Sequence, residues 1–186
     1  ADILSGNVKA GKDVVVIGAG GIGFDVAEYL TAANRESDNA EEDFLSHWGV
    51  DGALQHRGAL VKAASEPAVR QVTLMQRKPG RMGRSLGVST GWILRLDLAK
   101  AKVQQVSGVS YERISDEGVH ITVEGAERIV PADTVVICAG QTEELALFNA
   151  LVGLGRTPHR IGGAAVAAEL DAVRAIADGV KLAFTF

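Results

Sequence analysis

The sequence contains very little cysteine, and it has no long run of basic or of apolar residues. Its one cysteine, Cys138, excludes an internal disulfide framework, a CxxC redox pair and an all-cysteine cluster, and it indicates a reducing, cytoplasmic compartment. No stretch approaches the roughly 18 to 20 uninterrupted apolar residues of a membrane span. The 19 basic and 23 acidic residues give a net charge of −4, and the longest basic run is Arg77-Lys78, so nucleic acid is not an expected partner.

Hydrophobic residues make up 47% of the 186-residue chain, which predicts an ordered protein with one good core and little room for a second complete domain. The chain begins Ala1-Asp2-Ile3, without a methionine and without a basic-then-apolar leader. We therefore expect no signal peptide and interpret the chain as a segment of a longer protein.

Two runs of consecutive β-branched residues predict strands that are buried on both faces, as in a parallel sheet covered by helices. The first run ends at Ile17 and is followed by a glycine cluster and a predicted helix over residues 24–33, which together open a βαβ unit. The second run lies within residues 133–139. Further strands are predicted at 71–76, 103–106 and 159–161, and further helices at 91–101, 143–152 and 165–177.

Three short segments with a period of two residues, separated by turn sequences, predict an antiparallel meander at 110–114, 119–123 and 127–130. Residues 34–70 are loose and punctuated by glycines, and we interpret them as an insertion outside the sheet with one short helix. The predicted fold class is α/β: a Rossmann-like dinucleotide-binding domain with a parallel sheet and an antiparallel β-meander.

The most informative motif is G-x-G-x-x-G, here Gly18-Ala19-Gly20-Gly21-Ile22-Gly23, between a predicted buried strand and a predicted helix. In such a turn Gly18 permits the tight exit from the strand, and Gly20 lets the backbone approach a pyrophosphate. Gly23 allows helix and strand to pack closely, and the diphosphate then lies at the helix N-terminus. The motif predicts dinucleotide binding; the alternative is a glycine turn that serves the fold alone.

The end of the next predicted strand indicates which dinucleotide is bound. An NAD site usually has Asp or Glu there to hold the ribose hydroxyls, whereas this strand ends Gln76-Arg77-Lys78, with Arg81 and Arg84 close behind. A guanidinium at this place suits a 2′-phosphate, so the sequence favours NADP over NAD. Arg77 follows the glycine motif by 54 residues instead of the usual ~20, a gap for which the insertion accounts. The alternative is a solvated basic turn.

The remaining chemically active side chains show no catalytic or metal-binding pattern. Cys138 lies within an apolar strand and is interpreted as a core residue, and the four histidines are scattered without metal-ligand spacing. Tyr111 is followed four residues later by Ser115, so the Tyr-x-x-x-Lys pair of short-chain reductases is absent. Gly162-Gly163 either lets a second cofactor approach the backbone or makes a tight turn, and the sequence leaves both readings open.

Five segments form a specific combination. They are Gly20-Gly21-Ile22-Gly23-Phe24-Asp25, Leu74-Met75-Gln76-Arg77-Lys78, Ser89-Thr90-Gly91-Trp92-Ile93, Val136-Ile137-Cys138-Ala139-Gly140-Gln141, and Ile161-Gly162-Gly163 followed by Glu169-Leu170-Asp171-Ala172. Together they resemble the C-terminal part of a flavin oxidoreductase family that includes bacterial NADPH-dependent 2,4-dienoyl-CoA reductase, trimethylamine dehydrogenase and related old yellow enzyme-type proteins. The resemblance covers the whole chain.

This resemblance implies that residues 12–140 are an NADP(H)-binding domain with its insertion at 34–70. Residues 1–11 and 141–186 are then the flanking parts of an interrupted FAD-binding domain. Besides the glycine motif, the expected cofactor-binding residues are Gln76, Arg77, Lys78, Arg81, Ala139, Gly140, Gln141, Gly162 and Gly163.

In the intact family member, electrons are expected to pass from NADPH to FAD, to a 4Fe–4S cluster, to FMN on a (β/α)8 barrel and finally to a dienoyl-CoA of fatty acid β-oxidation. The chain itself is expected to bind NADP, to have the rest of the parent polypeptide as its partner, and to show no turnover alone. It contains no expected catalytic residue, because the cofactors supply the hydride chemistry.

The sequence departs from the family pattern at Ala165, where the family has an Asp that holds the ribityl chain of FAD; this counts against FAD binding in the parent. Three alternatives stay open. One is a degenerate Rossmann-like interaction domain without a nucleotide. Another is a free-standing NADP-dependent dehydrogenase, and the third is a related trimethylamine dehydrogenase or NADH oxidase-type enzyme.

Overall fold

The computed structural model describes residues 2–32, 39–64, 67–168 and 170–186. The chain divides into two compact units, Ala1–Ala139 and Gly140–Phe186. In the first unit the strands and α-helices follow in the order β1 (Asp13–Ile17), α1 (Gly21–Thr31), α2 (Ala40–Trp48), β2 (Gln71–Gln76), α3 (Gly91–Lys100), β3 (Gln104–Ser107), β4 (Val109–Ser115), β5 (Gly118–Val123), β6 (Ala126–Val130) and β7 (Thr134–Ile137). The second unit contains α4 (Ala146–Gly153) and α5 (Ala172–Ala183).

The strands of the first unit form two sheets. One is parallel, in the order β3-β2-β1-β7, and the other is an antiparallel meander, in the order β4-β5-β6. At the end of β1, Ile17 pairs with Met75 of β2 on one side and with Ile137 of β7 on the other. These observations confirm the predicted α/β fold class with its parallel sheet and β-meander.

Strand β1 is buried on both faces because its side chains alternate between two cores. Val14 and Val16 belong to a cluster with side chains of α1 and α3, whereas Val15 belongs to a cluster with side chains of the meander. All three valines are at most 1% exposed. Each fully buried valine contributes roughly 1.5–3 kcal/mol to the stability of the fold. Because one face of the parallel sheet packs against helices and the other against the meander, this sheet is the middle layer of the unit.

Between α1 and β2, the described residues 39–64 join neither sheet. Helix α2 has three acidic residues in its first turn, where their negative charges interact favourably with the helix dipole. Its C-cap residue, Gly49, has a left-handed conformation. His47 Nε2 lies 3.0 Å from Asp97 Oδ1 of α3, and Lys100 Nζ lies 4.4 Å from the centroid of the Trp48 ring. The insertion is therefore fastened to α3. Most of the polar segment predicted to precede α2 lies outside the described residues.

Strand β7 differs from its prediction. Its β-branched run predicts burial on both faces. Val136 and Val135 do pack against the two cores, but they are only half-buried, and Ile137 at the end of this outer strand is 69% exposed. A run of apolar residues shows only that a strand is suited to burial. Whether its side chains are buried depends on which other elements pack against the strand in the folded chain.

Two predicted elements of the second unit are also corrected. The strand predicted at 159–161 is absent from the described residues; Ile161 has an extended backbone but no partner strand. The helix predicted at 165–177 begins instead at Ala172 and continues to Ala183. The reason is the Asp171 carboxylate, which accepts a hydrogen bond from Arg174 N at 2.7 Å and thereby caps the helix start.

Candidate functional site

The turn between β1 and α1 contains two glycines that the fold itself requires. Gly18 has a φ of +112°, its N–H donates to Met75 O at 2.8 Å, and a Cβ there would lie 2.6 Å from Cys138 O. A Cβ on Gly23 would run into the Gly18 carbonyl group. Close backbone packing between the strand, the turn and the helix thus accounts for both positions.

Gly20 and Gly21 are different, because nothing in the fold requires them to be glycine. Gly20 has φ −79° and ψ −174°, which any residue adopts, and a Cβ on either glycine would meet no atom within 4 Å. Both residues are exposed. They leave bare backbone facing open space, which is the arrangement that a closely approaching ligand needs.

The same turn ends in a helix N-terminus without a side-chain cap. No acidic residue stands in the first turn of α1, no side chain caps it within the described part of the chain, and the first intrahelical bond runs from Phe24 N to Gly20 O at 3.1 Å. The earlier backbone N–H groups therefore have no acceptor in the helix, and they carry the positive end of its dipole. An anion is the ligand that this end favours.

The carboxyl ends of three neighbouring parallel strands lie at this turn. β1 lies between β2 and β7, and Cys138 N donates to Ile17 O at 2.7 Å just beyond the pairing of β1 with β7. The chain leaves β1 toward β2 on one side and returns to β7 on the other, so this is a topological switch point, where open parallel sheets bind ligands.

Beyond β2 lies a segment that we call the basic loop, residues 77–84, which holds four basic side chains and no acidic one. Gln76, at the end of β2, donates from Nε2 to Lys78 O at 2.8 Å and to Gly80 O at 3.3 Å, so its side chain shapes this loop. Arg77 and Arg81 are exposed, and neither forms a hydrogen bond or ion pair with the described residues. At Arg77 and Arg81 the loop thus presents cations that no carboxylate of the described residues neutralises.

Arg77 also lies beside the meander. Burial raises the pKa of the Tyr111 phenol, and the nearby Arg77 guanidinium lowers it in part. The Tyr111 hydroxyl is buried without a hydrogen-bond partner among the described residues. Arg77 is therefore placed at the junction of the parallel sheet and the meander.

The other predicted site residues lie at or beyond the end of the first unit. Ala139 follows β7 and is exposed, and Gly140 and Gln141 open the second unit, with Gly140 at φ +83°. Gly162 and Gly163 lie in a 3₁₀ turn of that unit.

The first glycine of this 3₁₀ turn has a local structural reason. Gly162 has φ +53°, and its N–H donates to Asp178 Oδ2 at 3.2 Å, whereas a Cβ on Gly163 would meet only the movable end of the Leu170 side chain, at 2.9 Å from Cδ2. The tight-turn reading therefore has direct support, and the cofactor role stays a prediction.

The backbone of the segment around Ala165 is held by the side chains of Glu143 and Arg174. Ala167 N donates to Glu143 Oε1 at 3.0 Å, which lowers the pKa of that carboxyl, and Arg174 Nη2 donates to Val166 O at 2.7 Å and to Ala168 O at 2.9 Å. Ala165 itself brings no polar side chain to this segment.

The four histidines are each engaged separately: His47 contacts Asp97, His56 contacts Asp51, His120 contacts Ser115, and the His159 ring packs edge-on against Phe186. Within the described part of the chain no three His, Cys, Asp or Glu side chains are grouped as a metal site, and no helix is long and apolar enough to cross a bilayer. Cys138 is half-buried, and burial raises the pKa of its thiol, which disfavours the thiolate.

The sequence gives no signal for one further residue near the site, Arg95 of α3, because a single arginine on a helix belongs to no motif. The fold brings its Nη1 within 3.0 Å of Gly83 O in the basic loop.

Comparison with known proteins adds three findings. A family model described as pyridine nucleotide-disulphide oxidoreductase matches residues 2–171. A metal reductase from Desulforamulus reducens is 29% identical over 152 residues, which are 82% of this chain and 22% of that protein. The chain therefore spans about a fifth of the length of this relative.

The fold is similar to two solved structures of longer proteins. The complex of 2-naphthoyl-CoA reductase with 2-naphthoyl-CoA matches with a TM-score of 0.64 and 25% identity, over 97% of this chain and 22% of that one. Histamine dehydrogenase from Rhizobium sp. 4-9 matches with a TM-score of 0.62 and 18% identity, over 98% of this chain and 24% of that one, and shows the shared fold.

Proposed function

The chain belongs to the pyridine nucleotide-disulphide oxidoreductase family, and from this premise we propose that it is the NADP(H)-binding part of a larger flavin oxidoreductase. In this proposal residues 12–140 bind NADPH. Residues 1–11 and 141–186 are flanking parts of an FAD-binding domain, which the rest of the parent polypeptide completes.

The observation that carries the proposal is the bare backbone at Gly20 and Gly21. Glycine is unnecessary there for the fold, yet it stands at the uncapped N-terminus of α1 and at the switch point of the sheet. A dinucleotide pyrophosphate accounts for all three features, because it is an anion that must lie against the backbone.

The basic loop supports NADPH rather than NADH as this dinucleotide. Arg77, Lys78 and Arg81 follow the end of β2, where an NAD site would have a carboxylate for the ribose hydroxyls. A guanidinium that meets no carboxylate among the described residues is suited to a 2′-phosphate, with which it forms charge-assisted hydrogen bonds.

The chain's residues bind and orient, and none acts as an acid or base. When bound, the nicotinamide supplies a hydride that an FAD ring accepts, and such a transfer between cofactors needs no protein acid or base. Gly162, Gly163 and the segment 139–141 are proposed to contribute backbone to the FAD side. Ala165 lacks the carboxylate expected for the ribityl chain, so FAD relies there on the remainder of the parent.

The final electron acceptor belongs to the parent protein, since this chain spans about a fifth of its relatives. A 2,4-dienoyl-CoA, reached through 4Fe–4S and FMN centres, is our first candidate, and the likeness to a 2-naphthoyl-CoA reductase supports an acyl-CoA. A metal ion is the second candidate, supported by the relative that is a metal reductase.

Calorimetric titration of the chain with NADPH and NADH tests the proposal. We expect binding of both with a clear preference for NADPH. Gly20→Ala has room in the folded chain, so it should leave the melting temperature unchanged and weaken both nucleotides by roughly tenfold, because its methyl group meets the pyrophosphate.

Gly153→Ala is the matched control, because a Cβ at Gly153 also meets nothing within 4 Å but lies at the end of α4. It should leave both affinities unchanged. If the unmodified chain binds neither nucleotide, the proposal is wrong and the degenerate interaction domain becomes the better interpretation.

A further inference from the structure

The middle of the basic loop is anchored on the helix that follows the glycine turn. Met82 is 3% exposed and lies in the same buried cluster as Phe24 of α1. Gly83 is buried at φ +70°, and a Cβ there would lie 2.9 Å from Cζ of the Phe24 ring. The loop therefore rests on the first turn of α1, while Arg81 and Arg84, on either side of this anchor, are exposed.

Arg95 of α3 contacts the basic loop at the same anchored residue, Gly83. Its half-buried guanidinium donates from Nη1 to Gly83 O at 3.0 Å. Gly91, at the start of α3, lies beside this contact: a Cβ there would lie 2.6 Å from Leu86 Cβ, so glycine is needed for the packing of Leu86, and its 3.4 Å distance to Arg95 Nη1 would be ordinary contact. No carboxylate lies within ion-pair distance of Arg95 in the described part of the chain, and its hydrogen bond to Gly83 O ties the guanidinium to the backbone of the loop.

A loop of this composition needs such a contact. Gly80 and Gly83 both have positive φ, and glycine gives an unheld segment many other conformations. Arg81 and Arg84 would then have to be ordered at the moment of binding, and that ordering weakens affinity. A loop that is already held before the nucleotide binds avoids this ordering cost. The gain in affinity is confined to the part of the nucleotide that these arginines contact.

We propose that Arg95 is a positioning residue for nucleotide selectivity: by holding Gly83 it orients Arg81 and Arg84 toward the 2′-phosphate. This inference rests on the proposed NADPH function, and it adds a residue that contacts no part of the nucleotide. Arg95 affects the 2′-phosphate through the loop, whereas the pyrophosphate is bound by the glycine turn alone.

The test is calorimetric titration of the full chain with NADPH and NADH. Arg95→Met should weaken NADPH about fivefold to tenfold, the scale of one typical hydrogen bond, while NADH affinity changes less than about twofold. Arg95→Lys should recover part of the selectivity, because an ammonium can donate to the same carbonyl. Thermal unfolding followed by circular dichroism establishes that each variant is folded.

Arg70→Met is the matched control, because Arg70 also donates to backbone carbonyl groups, Gly11 O at 3.0 Å and Leu30 O at 3.2 Å, but at the opposite end of the sheet. It should lower the melting temperature without changing the ratio of the two affinities. A loss of selectivity in Arg95→Met that Arg70→Met does not show supports the positioning role.

Two results would overturn the inference in different ways. Arg95→Met that weakens NADPH and NADH equally, or neither, removes the role of Arg95 and leaves the proposed function intact. An unmodified chain that binds neither nucleotide, or binds both equally, removes the NADPH-specific site itself and the inference with it.

Discussion

The two ends of the parallel sheet are built in opposite ways. At the amino end, side chains of the protein satisfy the backbone: Asp133 Oδ2 accepts from Lys12 N at 2.7 Å and from Asp13 N at 3.0 Å. Thr134 Oγ1 accepts from Gly11 N at 2.9 Å. This end is closed by the chain itself.

At the carboxyl end of the sheet, the backbone groups of the glycine turn have no side-chain partner among the described residues. The backbone of Gly20 and Gly21 faces empty space, and the N-terminus of α1 has no side-chain cap among the described residues. Arg77 and Arg81 form no ion pair with an acidic residue in the described part of the chain. The difference teaches that one end of this sheet is organised for stability and the other for a ligand, although both ends belong to the same strands.

The largest expected effect comes from placing a charge on the open end. Gly20→Asp puts a carboxylate where we expect the pyrophosphate, so NADPH and NADH affinity should fall by more than about 100-fold through repulsion and steric conflict. The melting temperature should change little, because Gly20 has an ordinary backbone conformation and free space around it. Titration and thermal unfolding of the same sample measure both effects; unchanged affinity would place the pyrophosphate elsewhere.

Reversing one charge of the basic loop should have a smaller and more selective effect. A charge-assisted contact to a phosphate is worth about 1.5–3 kcal/mol, and an exposed one is at the lower end of that range. Arg77→Glu should therefore weaken NADPH roughly tenfold or more and leave NADH nearly unchanged. Equal losses for the two nucleotides would show that the 2′-phosphate lies away from Arg77.

At the closed end the effect should fall on stability alone. Asp133→Asn removes the charge that accepts two backbone N–H groups, so it should lower the melting temperature by a few degrees while both nucleotide affinities stay the same. A change in nucleotide affinity with an unchanged melting temperature would contradict the assignment of stability to the amino end and of ligand binding to the carboxyl end.

The pH dependence follows from the same carboxylate. Hydrogen bonds from backbone N–H groups, that of Asp13 foremost, lower the pKa of Asp133 below its usual value. A carboxyl group whose pKa is lower in the folded state stabilises the fold above its unfolded pKa, and this stabilisation is lost as the pH falls through the folded value. The difference in melting temperature between Asp133→Asn and the unmodified chain should therefore shrink in acid.

The two units differ in how they bury apolar side chains. The first has several fully buried ones, whereas Ala167 is the one buried hydrophobic residue in the described part of the second. Large apolar side chains are exposed there, among them Leu147, Val173 and Phe184 at 73%, 77% and 88%. The second unit by itself thus lacks the enclosed core on which the first depends.

Local pattern predicted the first unit well. The β-branched run ending at Ile17, the glycine turn and the alternating meander each carry their own period, and such signals survive in the fold because packing agrees with them. The second unit was predicted less well: α5 begins at Ala172 because Asp171 caps it, and the predicted strand at 159–161 has no partner among the described residues.

The sequence by itself determined the strand–turn–helix unit, the succession of strands and meander along the chain, and the residue types at the end of β2, because these depend on neighbours in the chain. Only the tertiary structure decided that β7 is an outer strand, and that the fold explains Gly18 and Gly23 but not Gly20. It also decided that Arg95 supports the basic loop. Those properties depend on which residues distant in sequence come into contact, and no local period or motif records such contacts.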